Sequence, residues 1–163
     1  MFRSVVFLEE EREAWLALDP VTAPAERLLR GDLAVLSHAS AVQAWASWCF
    51  LDKGVTFSSP VQVVSPNPDI EVHVERFGTQ EWDLVEGLPV MRPERTVADL
   101  VRAGFDPSNV GQFASTLMAH GIATEADIVG ELDKAFPAKQ GKTILKTLQA
   151  IDDAQFKEPR PHR

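Results

Sequence analysis

The stretch of residues 87–100, GLPVMRPERTVADL, constrains the fold of this chain most, because it predicts a strand that leads directly into a helix. Residues 88–90 are short and apolar, as expected for a buried strand. Pro93 suits the first position of a helix, where its fixed φ fits and its missing N–H would have no intrahelical partner. Val97 and Leu100 then recur at helical spacing on one face. The stretch therefore predicts a joint between a sheet and a helix.

The same predicted helix carries a charged pair beside its apolar face. Arg95 and Asp99 are four residues apart, so their side chains lie one above the other, and Thr96 lies between the two faces. Next to so many apolar residues, this spacing favours a buried ion pair with a structural role.

The remaining pattern predicts a sheet in the first part of the chain and helices in the last part. Strands are predicted at residues 2–8, 33–36 (or a turn), 61–65, 70–77 and 82–85. Helices are predicted at 9–18, at 23–30 with Gly31 as C-cap, at 39–48 with Ser37 as N-cap, at 109–120, at 125–136 with Thr124 as N-cap, and at 140–154. This order predicts an α+β fold with a small mixed or antiparallel sheet flanked by helices. We expect an α/β core at 1–104, a helical subregion of the same domain at 105–156 and a disordered tail at 157–163.

Composition limits the classes of function. The chain has 163 residues and 16 basic against 24 acidic side chains, a formal net charge of −8. Such a chain repels nucleic acid unless its basic residues gather on one face, so weak nucleic-acid binding at best is expected. Cys49 is the only cysteine, and no apolar run approaches the roughly 18 residues of a membrane span. A cytoplasmic protein without an internal disulfide is predicted.

Two groups of residues suggest chemistry but favour plainer interpretations. A candidate nucleophile and its base are offered by Ser37, His38 and Ser40. No glycine-bounded nucleophile turn surrounds these residues, so helix capping and a packed histidine are the favoured interpretation. Asp69, Glu71 and Glu75 suggest the carboxylates of a metal-dependent nuclease. A solvated sheet face, with His73 on it, is the favoured interpretation because residues 70–75 alternate between apolar and polar.

Other candidates are weaker still. Gly141-Lys142-Thr143 lacks the upstream glycine and strand of a phosphate-binding loop and is interpreted as a helix start. The histidines make no metal-ligand spacing with Cys49. The four tryptophans are interpreted as core or interface anchors, and Arg76 and Arg92 as ordinary surface charges. They are Trp15, Trp45, Trp48 and Trp82. No catalytic centre, metal site or cofactor site is predicted.

Two motifs nevertheless resemble a known family. LSHASA at residues 36–41 and GLPVxxPERTVADL at 87–100 resemble, in this order, motifs of the AbiEi-like antitoxins of bacterial type IV toxin–antitoxin systems, which are often tied to abortive phage infection. The resemblance extends over about residues 3–136, with paired strands between the motifs and helices after them. It marks six residues as family-motif positions of structural character: Ser37, His38, Pro93, Arg95, Thr96 and Asp99.

The resemblance implies a non-enzymatic domain that counters a nucleotidyltransferase-like toxin without forming a stable complex with it. Family members typically carry an N-terminal winged helix-turn-helix that binds operator DNA. Residues 2–5 resemble the last strand of that domain, so the chain is expected to be the antitoxin domain alone. Arg92 stands where the family commonly has the Thr or Ser that caps the following helix, and loss of such a cap costs about 1 kcal/mol.

Two other functions stay open at this point. The chain is alternatively a transcriptional regulator whose DNA-binding part is missing or supplied by a partner. The third reading is the metal-dependent nuclease of Asp69, Glu71 and Glu75.

Overall fold

The computed structural model describes residues 8–46 and 54–157 and has the predicted α+β fold. The predicted strand 2–8, Trp48, Cys49 and the predicted tail beyond Lys157 lie outside these residues, apart from Leu8. Contacts divide the chain into two compact units, Met1–Arg92 and Pro93–Arg163. We call them the sheet unit and the helical unit.

The sheet unit contains five strands and three α-helices within its described residues. In chain order these are α1 (Glu9–Leu18), α2 (Pro24–Leu29), β1 (Val35–Leu36), α3 (His38–Ala46), β2 (Val55–Ser59), β3 (Ile70–Val74), β4 (Trp82–Val85) and β5 (Leu88–Met91). Arg30 directly follows α2 and has an extended backbone conformation. Gly31 does not have a positive φ, so it is not the left-handed C-cap that the sequence predicted.

The strands form one mixed sheet in the order β3-β2-β1-β5-β4. β1 pairs antiparallel with β2 and parallel with β5, β3 is parallel to β2, and β4 is antiparallel to β5. Glu86 and Gly87 join β4 to β5 with φ values of 52° and 77°. Positive φ at both central residues is what the two-residue type I′ hairpin needs, and glycine supplies one of them at no steric cost.

The predicted strand at 61–65 is wrong, because the strand lies earlier, at β2. Ser58, Ser59 and Pro60 look like a loop in the sequence, yet both serines are fully buried. Hydroxyls can enter a core when neighbouring groups satisfy their hydrogen bonds, which a single sequence does not reveal. Gly54 is required where β2 begins, since a Cβ there would lie 2.1 Å from the Asp69 carbonyl oxygen.

The helical unit consists of four α-helices within its described residues: α4 (Pro93–Arg102), α5 (Pro107–Ala119), α6 (Glu125–Ala135) and α7 (Gly141–Lys157). Asp106 caps α5 by accepting a hydrogen bond from the Ser108 N–H, and Thr124 and Asp127 form the predicted capping box of α6. α5 packs against α7 so closely that a Cβ on Gly111 would lie 2.4 Å from the Leu148 carbonyl oxygen.

The boundary between the units falls before α4, whereas the sequence suggested a boundary after residue 104. α4 packs against α5 and α6 through its apolar face, which includes Val97 and Leu100. Among the described helices, none is both long and apolar enough to cross a membrane.

Candidate functional site

The first family-like motif places two polar residues at the point where β1 ends and α3 begins. Ser37 is fully buried, and its carbonyl oxygen accepts a hydrogen bond from the Ala41 N–H, as expected at the N-cap position. His38 is 8% exposed and has a φ of 51°, a left-handed value that is uncommon for a residue other than glycine. The Ser37 hydroxyl lies 2.9 Å from His38 Nδ1. The packed histidine that the sequence favoured is therefore present, in an unusual backbone conformation.

Two more strands extend this contact into a hydrogen-bonded chain. Ser58 on β2 places its hydroxyl 2.9 Å from that of Ser37 and also contacts Glu75 Oε1. Glu75 follows β3, where its backbone N–H donates to the Ser59 carbonyl oxygen at 2.9 Å. We call the series Glu75, Ser58, Ser37, His38 the polar chain. Ser58 lies on β2, Ser37 and Glu75 directly follow β1 and β3, and His38 begins α3, so no local spacing in the sequence predicts the polar chain.

The number of protons available determines which group donates each hydrogen bond of the polar chain. An ionised carboxylate only accepts hydrogen bonds, and each serine hydroxyl has one proton to donate. When Glu75 is ionised, Ser58 donates to it and Ser37 donates to Ser58. His38 Nδ1 must then carry the proton that bonds to Ser37. When Glu75 is protonated, all three bonds can reverse and Nδ1 becomes the acceptor. The ionisation of Glu75 is thus linked, through two buried hydroxyls, to whether Nδ1 of His38 carries a hydrogen.

His73 lies beside this chain, which corrects the prediction that it is simply solvated. Its ring centroid is 4.5 Å from that of His38, with the rings tilted by 38°. The parallel register that pairs Ser58 with His73 explains the contact. The other side of His73 is more open, and its Nε2 lies 3.5 Å from Glu71 Oε1. The predicted alternation on β3 also fails at Val74, which is 59% exposed.

The geometry of the polar chain allows proton exchange but does not expose a nucleophile. Ser37 and His38 have the separation of a nucleophile and its base. However, both Ser37 and Ser58 are fully buried, so a substrate in solvent has no access to either hydroxyl. The arrangement is that of a buried network that fixes β1, β2 and β3 relative to one another.

The three carboxylates considered for a nuclease are not brought together as metal ligands. Glu75 contacts Ser58, Glu71 contacts His73, and the Asp69 carbonyl oxygen accepts a hydrogen bond from the Val55 N–H. Within residues 8–46 and 54–157, no group of three or more His, Cys, Asp or Glu residues is arranged to hold a metal ion.

The second family-like motif forms the predicted ion pair on α4. Arg95 Nε lies 2.9 Å from Asp99 Oδ1, and Asp99 is fully buried. Arg102 adds a second cation, with Nη2 2.6 Å from the same oxygen. Its i+3 spacing from Asp99 was a signal in the sequence, but Arg102 was not predicted as part of the cluster. Thr96 and Pro93 are buried on the same helix.

The remaining candidates occupy structural positions. Trp15 is buried, and Trp45 donates from Nε1 to the Met91 carbonyl oxygen at 2.8 Å, as core anchors do. Trp82 is half-buried against the same core. Gly141 begins α7 and donates its N–H to Asp133 Oδ1 at 2.8 Å, which agrees with a helix start rather than a phosphate loop.

Comparison with known proteins adds no relative. No family model matches the chain, and neither a curated protein nor a solved structure matches it.

Proposed function

We propose that this chain is a non-enzymatic antitoxin domain of an AbiEi-like type IV toxin–antitoxin system that counters a nucleotidyltransferase-like toxin in the cytoplasm. The proposal starts from the two sequence motifs at residues 36–41 and 87–100.

One observation carries the proposal: the two motifs meet in the sheet although they are far apart in the sequence. β1 and β5 are parallel neighbours, with Leu36 of the first motif paired to Val90 of the second. Because the strands are parallel, both motifs leave the sheet at the same edge, and each continues into a helix. Adjacency in one sheet makes the two motifs parts of a single structural feature, which supports treating their resemblance to one family as a single signal.

Two further features support a protein without a reaction of its own. Ser37, the serine beside His38 in the catalytic hypothesis, is fully buried, and the paired charges of α4 are engaged with one another. The formal charge of −8 also disfavours direct binding to an operator or to an RNA substrate of the toxin.

Co-expression with the nucleotidyltransferase-like protein encoded beside this chain tests the proposal. We expect the toxin alone to arrest growth and the chain to restore it, while the two proteins elute separately in size-exclusion chromatography. A toxin variant that lacks catalytic activity controls for the effect of protein expression itself on growth. Persistent arrest with the folded chain present, or the lack of such a neighbouring gene, contradicts the proposal.

A gel shift with the promoter of the same operon separates the antitoxin from the regulator. We expect no salt-sensitive binding by the isolated chain. Tight binding that weakens steeply with salt favours the transcriptional regulator instead.

A further inference from the structure

A cavity of about 170 Å³ lies in the sheet unit, beside the turn between α1 and α2. Apolar and charged side chains both line it. They include the apolar Leu33 and Val63 and the charged Asp19, Arg27, Arg30 and Asp32. An apolar cavity of about 150 Å³ admits a molecule as large as benzene, so this one has room for a small organic ligand.

Arg27 is the most constrained of the charged residues. Its guanidinium carbon lies 3.6 Å from the centroid of the Trp15 ring, and its Nη1 donates to the Trp15 carbonyl oxygen at 2.7 Å. Trp15 is itself fixed by a 2.8 Å hydrogen bond from its Nε1 to the Ala34 carbonyl oxygen. One face and one nitrogen of the guanidinium are therefore held in place, and Arg27 as a whole is 5% exposed.

Within residues 8–46 and 54–157, no ion pair balances the charge of Arg27. Among the described residues, no carboxylate oxygen lies within 4.0 Å of it, and Trp15 supplies its one hydrogen-bond acceptor. The two carboxylates that line the cavity form ion pairs with Arg30 instead. Asp19 Oδ2 lies 3.8 Å from Arg30 Nη1, and Asp32 Oδ1 lies 3.1 Å from Arg30 Nε. Burial lowers the pKa of the Arg27 guanidinium below its ordinary value, and attraction by Asp19 partly opposes this shift. A guanidinium nevertheless stays protonated in a protein, so Arg27 brings a buried positive charge to the cavity.

We infer that this cavity binds a small monocarboxylate with an apolar body. The carboxylate accepts hydrogen bonds from the N–H groups of Arg27 that Trp15 leaves available, in the planar paired geometry that guanidinium groups favour. The apolar body packs against side chains such as Leu33 and Val63. A monoanion fits better than a phosphate dianion, because Asp19 and Asp32 lie nearby and repel extra negative charge.

Titration calorimetry with benzoate, benzamide and acetate tests the site. We expect benzoate to bind the full chain, benzamide to bind at least roughly tenfold more weakly because it lacks the charge, and acetate to bind more weakly because it lacks the apolar body. Equal binding of benzoate and benzamide would overturn the role of Arg27. Equal binding of acetate and benzoate would overturn the apolar half of the site. Failure of benzoate to bind rejects the proposal.

Variants assign the binding to the cavity. Arg27→Lys keeps the charge but loses the planar fork, and we expect it to weaken benzoate binding by roughly tenfold or more. Arg27→Met removes the charge and should abolish benzoate binding. A cooperative thermal melt of this variant shows that it is folded when its binding is measured. Asp19→Asn removes a nearby negative charge and should strengthen benzoate binding several-fold. Arg76→Met, at an exposed arginine remote in the sequence, is the matched control with unchanged binding. Parent-like affinity in Arg27→Lys overturns the assignment, since that variant retains the fold-stabilising stem and charge.

Discussion

The two units build their polar contacts in different ways. In the sheet unit, Ser37 and Ser58 meet across 21 positions of the sequence, and Ser58 and Glu75 across 17. In the helical unit, the corresponding separations are four positions for Arg95 and Asp99 and three for Asp99 and Arg102. Thr124 and Asp127 are also three apart.

This difference follows from how each kind of element brings side chains together. A helix places residues three and four apart on one face whatever surrounds it. A sheet brings residues together through strand order and register, which depend on the whole unit. The contacts of the helical unit should therefore behave as separate local pairs, and those of the sheet unit as one coupled network. Three substitutions test this contrast.

Asp99→Ala should have the largest effect, lowering the free energy of unfolding by about 3 kcal/mol, because it removes the buried carboxylate that contacts both Arg95 and Arg102. Thermal and urea denaturation measure the loss. Asp153→Ala on α7, where the side chain is exposed, is the matched control and should change stability by no more than about 0.5 kcal/mol. Equal melting of Asp99→Ala and the parent, combined with lost growth rescue, would move the pair from a structural role to a partner surface.

Ser58→Ala should lower the free energy of unfolding by about 2 kcal/mol, since it leaves the Ser37 hydroxyl and Glu75 without their shared partner. The double variant with Ser37→Ala should lose less than the sum of the two single losses, because each single variant already removes the hydrogen bond between Ser37 and Ser58. Urea denaturation of all four proteins gives this coupling.

Ser59→Ala is the matched control for the polar chain. Ser59 is as buried as Ser58 on the same strand, but the hydrogen bond that its hydroxyl accepts from a described residue, the Val61 N–H, is long at 3.3 Å. We expect a smaller loss of stability than in Ser58→Ala. Additive losses in Ser37→Ala and Ser58→Ala would contradict the network and make the sheet unit resemble the helical one.

The same contrast explains what could be predicted from the sequence. The helices of both units were predicted closely, for example α1 with its exact bounds and α6 with its capping box. The ion pair of Arg95 and Asp99 was also predicted, because its spacing is local. The α+β class followed from the order of the elements, and the sheet, expected to be mixed or antiparallel, is mixed.

What could not be predicted depends on contacts between distant residues. β2 was missed because Ser58 and Ser59 are polar, and only the paired strands show how their hydroxyls are satisfied. His73 and Glu75 were placed on a solvated face for the same reason. The sequence did not indicate a role for Arg27, because Trp15, on which its guanidinium stacks, lies twelve positions earlier on a different helix. The candidate site and the cavity thus arise from register and packing, whereas the family-like motifs are continuous in the sequence.

Thr124→Ala should have the smallest effect and shows how isolated a helical contact is. The hydrogen bonds from the Thr124 side chain, the larger cause, and from its backbone N–H hold the pKa of Asp127 below its ordinary value. A carboxyl whose pKa is lower in the folded state adds stability above its unfolded pKa of about 3.9 and loses it as the pH falls through the folded value. The variant retains the backbone bond, so the Asp127 pKa should rise part of the way in an NMR titration, and the acid-dependent loss of stability should shrink. Near neutral pH, loss of the cap should cost about 1 kcal/mol.

Thr147→Ala is the control for this variant. Its hydroxyl donates within α7 to the Thr143 carbonyl oxygen, and its loss should leave the Asp127 pKa unchanged. A shift in the pKa of Asp106 at the start of α5 would show that the caps are coupled, and the helical unit would then not be a set of local pairs.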